Sequence, residues 1–215
     1  MTGKIEVIYS TTNPHKQAEI RATCDSIPVV MPDGSSALIG DVFTFVFRDG
    51  RPVEPLERDL EQMVNHKVLS AYRTLLVPCI AEHAGLVFSE HVNQNYPGGL
   101  TQPMWDALGA RKFVDETSSA GRQTIARAVI GYCDGLKVRC FVGETEGSLA
   151  DRPRGNREFY WDTVFVPKGQ TSTYAEICDD PSRGLTTKVA LSQSTKALVK
   201  FLEFRLTDGA PHLFP

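Results

Sequence analysis

A short apolar stretch, Ile5 to Ser10, runs without a linker into TTNPHK at residues 11–16, and then into a helix-spaced segment reaching Cys24. Pro14 suits the first turn of that helix, where its missing N–H costs nothing and its φ is already helical. A strand that turns directly into a helix must pack that helix back over a sheet, which constrains the chain to a layered α/β arrangement. The alternation continues downstream. Turn formers dominate residues 32–55, around a predicted strand at Val42–Phe47 and a turn at Arg48–Arg51. Leu56 to Leu76 is a predicted helix, with Leu60, Met63, Val64, Lys67, Val68, Ala71 and Leu75 at helical spacing. Val77–Ala81 is a predicted strand that delivers Glu82 and His83 at its end. Ile125–Cys133 and Lys137–Glu144 read as a hairpin about Asp134-Gly135. Thr163–Val166 is a further strand, and Ser192–Leu206 a closing amphipathic helix with Leu198, Phe201, Leu202 and Leu206 on one face. This pattern implies α/β with a mixed sheet, in one domain over residues 1–215.

Composition narrows the partners. With 215 residues, 41% hydrophobic and 23% charged, the chain can bury a substantial core. A net charge of −3 gives no support for binding a nucleic acid polymer, although a local cationic pocket can still hold a phosphate group. No apolar run approaches the roughly 20 residues that span a bilayer, so no membrane partner is expected. The N-terminal apolar stretch is too short for a signal peptide. Cysteines 24, 79, 133, 140 and 178 are odd in number and lack C-x-x-C spacing, which fits buried thiols in a reducing compartment. The expected location is the cytoplasm.

Two segments carry chemistry on their own. TTNPHK places Asn13 and Lys16 where a strand meets a helix N-terminus, a setting that offers N–H groups, a dipole and a cation to a phosphate; the same residues would also serve a plain helix cap. Residues 151–167, DRPRGNREFYWDTVFVP, join a Pro-Arg-Gly loop to Phe159, Tyr160, Trp161 and Asp162. Flat rings can stack on a base, and the adjacent carboxylate can orient a polar ring edge.

Further segments complete an ordered series: AEHAGL at 81–86, PGG at 97–99, GETEGSL at 143–149, TYAE at 173–176 and KVALSQSTKAL at 188–198. The series resembles the inosine triphosphate pyrophosphatase family, whose members carry T-G-N-x-x-K, D-D-S-G-L or E-D-T, P-G-P-Y, G-x-x-x-G-R-I, P-R-G with F-G-[WY]-D-P-x-F, and K-x-x-x-S-H-R in that order. The matches span about residues 5 to 205. The resemblance implies a long twisted sheet with flanking helices, two lobes and a central nucleotide cleft. It implies hydrolysis of a purine nucleoside triphosphate to monophosphate and pyrophosphate, a divalent ion (Mg²⁺ or Mn²⁺), and a homodimer, with the residues after Pro97 near its interface. It assigns Lys16, Glu82 and His83 to catalysis, and Glu54, Glu82 and His83 to the metal, with Glu57 an alternative to Glu54. Thr11, Thr12, Asn13, Lys16, Phe159, Trp161, Asp162, Lys188, Ser192, Gln193 and Ser194 would bind substrate, with Lys188 and Ser192 on one side of a helix start.

Departures from the family pattern fall at the chemistry. Thr12, Gln102 and Tyr160 replace Gly, Lys and Gly, and Thr163 replaces Pro. His83 replaces the second carboxylate; an imidazole can accept a proton near its ordinary pKa of about 6.5 but is a poor Mg²⁺ ligand. Gln193 and Ser194 replace the His-Arg pair that recognises a 6-keto purine, which points away from strict inosine selectivity unless Arg157 or Arg183 folds back. A nucleotide-binding regulator without turnover, and a hydrolase of another nucleotide-like substrate, therefore stay open.

Overall fold

The computed structural model describes residues 3–117, 121–156 and 159–207. Strand β1 (Ile5–Ser10) leads through the cap residue Asn13 into helix α1 (Pro14–Ser26), followed by a small antiparallel pair, β2 (Pro28–Val30) and β3 (Ser36–Leu38), and one turn of helix, α2 (Ile39–Val42). Strand β4 (Phe43–Arg48) then lies parallel to β1, from Ile5↔Phe43 to Ser10↔Arg48. Helix α3 (Leu60–Leu75) crosses back to β5 (Cys79–Phe88), which sits on the other side of β1. The two crossovers run in opposite directions, so right-handed connections put their helices on opposite faces of the sheet. Ile20 of α1 accordingly joins one apolar cluster with Tyr9, Phe43, Ile80 and, from the last helix, Phe201 and Leu202. Val68 and Ala71 of α3 join another with Cys79, Ala81 and Cys133.

The remaining strands, β6 (Gln123–Cys133), β7 (Val138–Leu149) and β8 (Phe165–Pro167), complete a six-stranded mixed sheet in the order β4-β1-β5-β6-β7-β8. β6 and β7 form the predicted hairpin, longer than expected; Asp134 Oδ1 accepts from the N–H groups of Leu136 and Lys137, and Gly135 takes φ 96°. Helices α4 (Thr101–Thr117), α5 (Tyr174–Asp179), α6 (Gly184–Leu191) and α7 (Gln193–Thr207) cover the sheet. A further apolar cluster at the β8 end unites Leu86, Phe88, Phe113, Trp161, Phe165 and Tyr174.

Several boundaries differ from expectation for local reasons. α3 starts at Leu60 rather than Leu56 because Asp59 caps it, its Oδ1 accepting from Glu61 and Gln62 N–H. β5 does not stop at Ala81; antiparallel pairing with β6 continues from Cys79↔Cys133 to Phe88↔Thr124, so Glu82 and His83 sit inside a strand. Tyr160–Thr163 is a 3₁₀ turn, and β8 begins only at Phe165. Ser192 lies between the last two helices, ending α6 and capping α7, while Lys188 lies inside α6, so the two do not share a helix start. Gly98 and Gly99 are buried within the chain itself; a Cβ on Gly98 would meet the Arg58 carbonyl oxygen at 2.2 Å.

Candidate active site

β1 and β5 share a single pair, Tyr9↔Ile80, and then part. Beyond that point β1 and β5 no longer pair, although Val87 near the end of β5 meets Pro97 in an isolated bridge, and the gap at the carboxyl ends of β1 and β4 is a cleft. In open α/β sheets such a switch point, where successive connections leave in opposite directions, is where ligands bind. Side chains from both faces of the sheet reach in. Thr11, Thr12, Asn13, Lys16, Glu54, Glu82, His83, Phe159, Trp161, Asp162, Lys188, Gln193 and Ser194 all line this one cleft. Of the site residues anticipated from sequence, two stay out of it: Glu57, whose Oε1 accepts from Asp59 N–H at 3.1 Å, and Ser192. Its hydroxyl accepts from Ser194 N–H at 3.1 Å and its carbonyl from Lys196 N–H at 3.2 Å, so it starts α7 from behind.

The TTNPHK turn is spent differently from expectation. Asn13 Oδ1 accepts from His15 N–H at 2.9 Å and Lys16 N–H at 3.3 Å, and Thr11 Oγ1 accepts from Asn13 N–H at 3.2 Å. The helix N–H groups are thus capped internally, and the turn offers a ligand its side chains instead. Lys16 Nζ donates to the Glu82 carbonyl at 3.2 Å and lies 3.6 Å from Glu82 Oε2.

Glu82 is 6% exposed, and both its oxygens are held: Tyr9 donates to Oε2 at 2.5 Å and Ser194 to Oε1 at 2.8 Å. Burial opposes its charge, but Lys16, the bonds from Tyr9 and Ser194, and Lys67 together hold the carboxyl below its ordinary value. The Tyr9 hydroxyl is pushed well up by burial and by Glu82.

On the other face of β5, His83 is 4% exposed, with Nδ1 4.0 Å from Glu54 Oε2 and a buried Nε2 that has no partner among the described residues. Lys67 of α3 donates to Glu54 Oε1. Burial, then Lys67 and Lys16, lower the His83 pKa to about 3. The imidazole is therefore neutral and weakly basic in this state, contrary to the near-neutral titration expected from its ordinary pKa. The unfolded chain takes up this proton first, so folded stability falls as pH drops from about 6.5 toward 3. A His83→Asn variant is expected to lose less stability than wild type between pH 6.5 and 4 in urea titrations; parallel acid limbs would contradict the burial of a neutral His83.

At the opposite end, Lys188 is 2% exposed, with Nζ 2.5 Å from Glu19 Oε1 and 3.4 Å from Asp162 Oδ2. Phe159 stacks on His15 with centroids 4.9 Å apart, and Lys188 Nζ lies 5.6 Å from its ring. Trp161 is packed edge-on against Phe165, so most of its ring serves the core rather than a ligand. Gln193 Oε1 lies 3.2 Å from Tyr174 Oη. Tyr160 adopts φ 46°, a conformation that favours glycine, which explains the glycine of the family pattern; here its hydroxyl accepts from Gln102 Nε2 at 3.0 Å.

Sequence reading missed Tyr9, Glu19, Asp49 and Lys67 as cleft residues. Lys67 had a visible signal: a lysine on an otherwise apolar helix face must be paired or functional. Glu19 lies one turn after Lys16 on α1. Tyr9 and Asp49 had none. Arg183 donates to Gln170, away from the cleft, and Arg157 lies outside the described residues.

The sequence pattern of the Ham1 family matches residues 7–204. A Methanopyrus kandleri protein named dITP/XTP pyrophosphatase is 32% identical over 149 residues, covering 67% of this chain and 74% of its own. The inosine triphosphate pyrophosphatase of Scheffersomyces stipitis is 28% identical over 205 residues, covering 94% and 98%. Among solved structures, a HAM1 protein from Coxiella burnetii superposes with a TM-score of 0.67 at 19% identity, covering 95% of this chain and 100% of that one, which supports the fold.

Proposed function

The chain belongs to the Ham1 family, and on that premise we propose that it is a hydrolase that cleaves a purine nucleoside triphosphate to the monophosphate and pyrophosphate. The observation that carries this reading is the single cleft at the carboxyl ends of β1 and β4. It collects a lysine at a helix start, the carboxylates of Glu82 on β5 and Glu54 in the loop before α3, and an aromatic, lysine-bearing far end. Water adds at the α-phosphorus, and the α–β anhydride breaks to release pyrophosphate. In this reading Lys16 offsets phosphate charge, Asn13 Nδ2 and the Thr12 hydroxyl orient it, and Phe159 meets the base. Asp162 and Lys188 fix the polar edge of the far end.

A divalent ion fits the donor set. The described lining holds three lysines against five carboxylates, so two negative charges are in excess before a polyanion enters. No cluster of three or more His, Cys, Asp or Glu side chains stands ready for an ion among the described residues, as suits Mg²⁺ or Mn²⁺ held by one or two carboxylates together with substrate phosphates. Glu82 and Glu54 are the proposed ligands, and His83 is better placed as a neighbour than as a hard-ion ligand. Such an ion would neutralise developing phosphate charge and acidify a bound water.

The test is a screen of nucleoside triphosphates with Mg²⁺ and with Mn²⁺, reading pyrophosphate against orthophosphate. Pyrophosphate release is expected; binding without release would favour the regulator reading, which the weakly basic His83 keeps in view. Lys16→Ala is expected to weaken triphosphate binding roughly ten-fold or more, the worth of one charge-assisted bond. Unchanged affinity in the folded variant would reduce TTNPHK to a helix cap.

We further propose a homodimer, the commonest closed assembly, located in the cytoplasm. No helix of the described residues is long and apolar enough to cross a membrane. A monomeric mass at micromolar concentration would refute the dimer.

A further inference from the structure

We infer that Tyr9 and Ser194 are positioning residues that aim the Glu82 carboxylate into the cleft. The inference rests on the reading of the cleft as a metal–nucleotide site, and it concerns two residues to which the family pattern gives no such role. A glutamate has three rotatable bonds, and one at a cleft edge sweeps a wide arc unless it is held. Here it is held at both oxygens by hydroxyls from two different elements, with Tyr9 of β1 on Oε2 at 2.5 Å and Ser194 of α7 on Oε1 at 2.8 Å. The hydroxyls are themselves fixed. The Tyr9 ring is 1% exposed and contacts Phe47, so its hydroxyl has little freedom. Ser194 is in the first turn of α7, its N–H bonded to the buried Ser192 hydroxyl. A carboxylate has about four lone-pair sites. Two hydroxyl donors leave one on each oxygen, and Lys16 approaches one of these at 3.6 Å. The other remains for a cation. Ser194, at a position where the resembled family places a base-reading arginine, thus serves the acid of the site.

Outer groups that orient a metal-binding carboxylate typically contribute 10–100-fold to metal affinity or activity. The test measures Mn²⁺ affinity by EPR titration of the full-length protein with an α,β-imido triphosphate analogue, alongside kcat and KM for the natural triphosphate. Tyr9→Phe and Ser194→Ala, with unaltered far-ultraviolet circular dichroism, are each expected to weaken Mn²⁺ binding about ten-fold and to lower kcat similarly, with nucleotide KM little changed. Ser194→Thr, which keeps the hydroxyl, is expected to restore both. In a Glu82→Gln background, adding Tyr9→Phe should change Mn²⁺ affinity no further, because the group it positions is gone. Wild-type Mn²⁺ affinity in both single variants, or an equal Tyr9→Phe effect with and without Glu82, would overturn the inference and leave these bonds a purely structural role. The titration does not depend on turnover, so a wild type that binds Mn²⁺ with the analogue but releases no pyrophosphate would refute the functional reading while this comparison still decides the positioning.

Discussion

Replacement of Glu82 by glutamine is expected to reduce pyrophosphate release by about 10²–10⁴, close to the limit of detection. The substitution keeps the volume of a side chain that is 6% exposed, so the core around it is not emptied. What it removes is a negative charge and one acceptor oxygen. The amide can still accept from Tyr9 or Ser194, but not from both through equivalent oxygens, and its NH₂ group must face a hydroxyl or the Lys16 ammonium. Lys16 keeps its bond to the Glu82 carbonyl at 3.2 Å but loses its ion-pair partner at 3.6 Å. The depressed Glu82 carboxyl contributes stability that is present above its ordinary value of 4.5 and lost as pH falls below it. The variant should therefore show a flatter acid limb as well as lost turnover. Steady-state assays with Mg²⁺ and Mn²⁺ check this, and a rate within a few-fold of wild type would remove Glu82 from the reaction. His83→Asp is the companion experiment. A hard oxygen beside Lys67 and Glu54 should shift activity toward ordinary Mg²⁺ usage; complete loss instead would show that the neutral imidazole has a role of its own.

The second large effect concerns base choice. The ratio of kcat/KM for inosine over adenosine triphosphate is expected to fall roughly ten- to a hundred-fold below that of an arginine-equipped site, the equivalent of one charge-assisted hydrogen bond of about 1.5–3 kcal/mol. Ser194 cannot take the arginine's place, since its hydroxyl is committed to Glu82. Gln193 is ambivalent for a structural reason. Tyr174 Oη lies 3.2 Å from Gln193 Oε1 and 3.3 Å from the Leu191 carbonyl oxygen, and it has one proton. It can donate to the amide oxygen, or donate to Leu191 and accept from the amide nitrogen. Gln193 then presents either NH₂ or C=O to a base, at little cost in either case. Stacking by Phe159 is indifferent to base identity. Arg183 is held by Gln170 and does not return to the cleft. Paired kcat/KM measurements decide the matter. A preference for inosine of several hundred-fold would mean that a keto-specific donor was rebuilt elsewhere, and that residues 192–194 do not set the choice.

Much of this molecule was legible in its residues. β1 fell where predicted at Ile5–Ser10, and α1 began at Pro14, because an apolar run, a capping asparagine and a helix-starting proline are all local signals. The Asp134-Gly135 hairpin was legible for the same reason, since a turn's backbone and side-chain bonds lie within four residues. The order of motifs placed the chain in its family, and with it the cleft.

Other features depended on long-range contact. Pairing with β6 carried β5 past Ala81 and put Glu82 and His83 on opposite faces of one strand, where the sequence had suggested a strand end. Lys67 read as one more position on a helix stripe until the fold brought it to Glu54. Ser192 and Ser194 looked alike in sequence, yet one starts a helix and the other holds a carboxylate 112 residues away in the chain. The acidity of His83 is the clearest case. Its ordinary pKa belongs to the residue type, but the fall to about 3 comes from burial and from Lys67 and Lys16, which the chain brings near only after folding. Sequence determined the local elements because their energies are summed over neighbours in the chain. Tertiary structure decided which groups are charged, which are spent and which face the ligand, because those energies depend on distance in space and on exclusion of water.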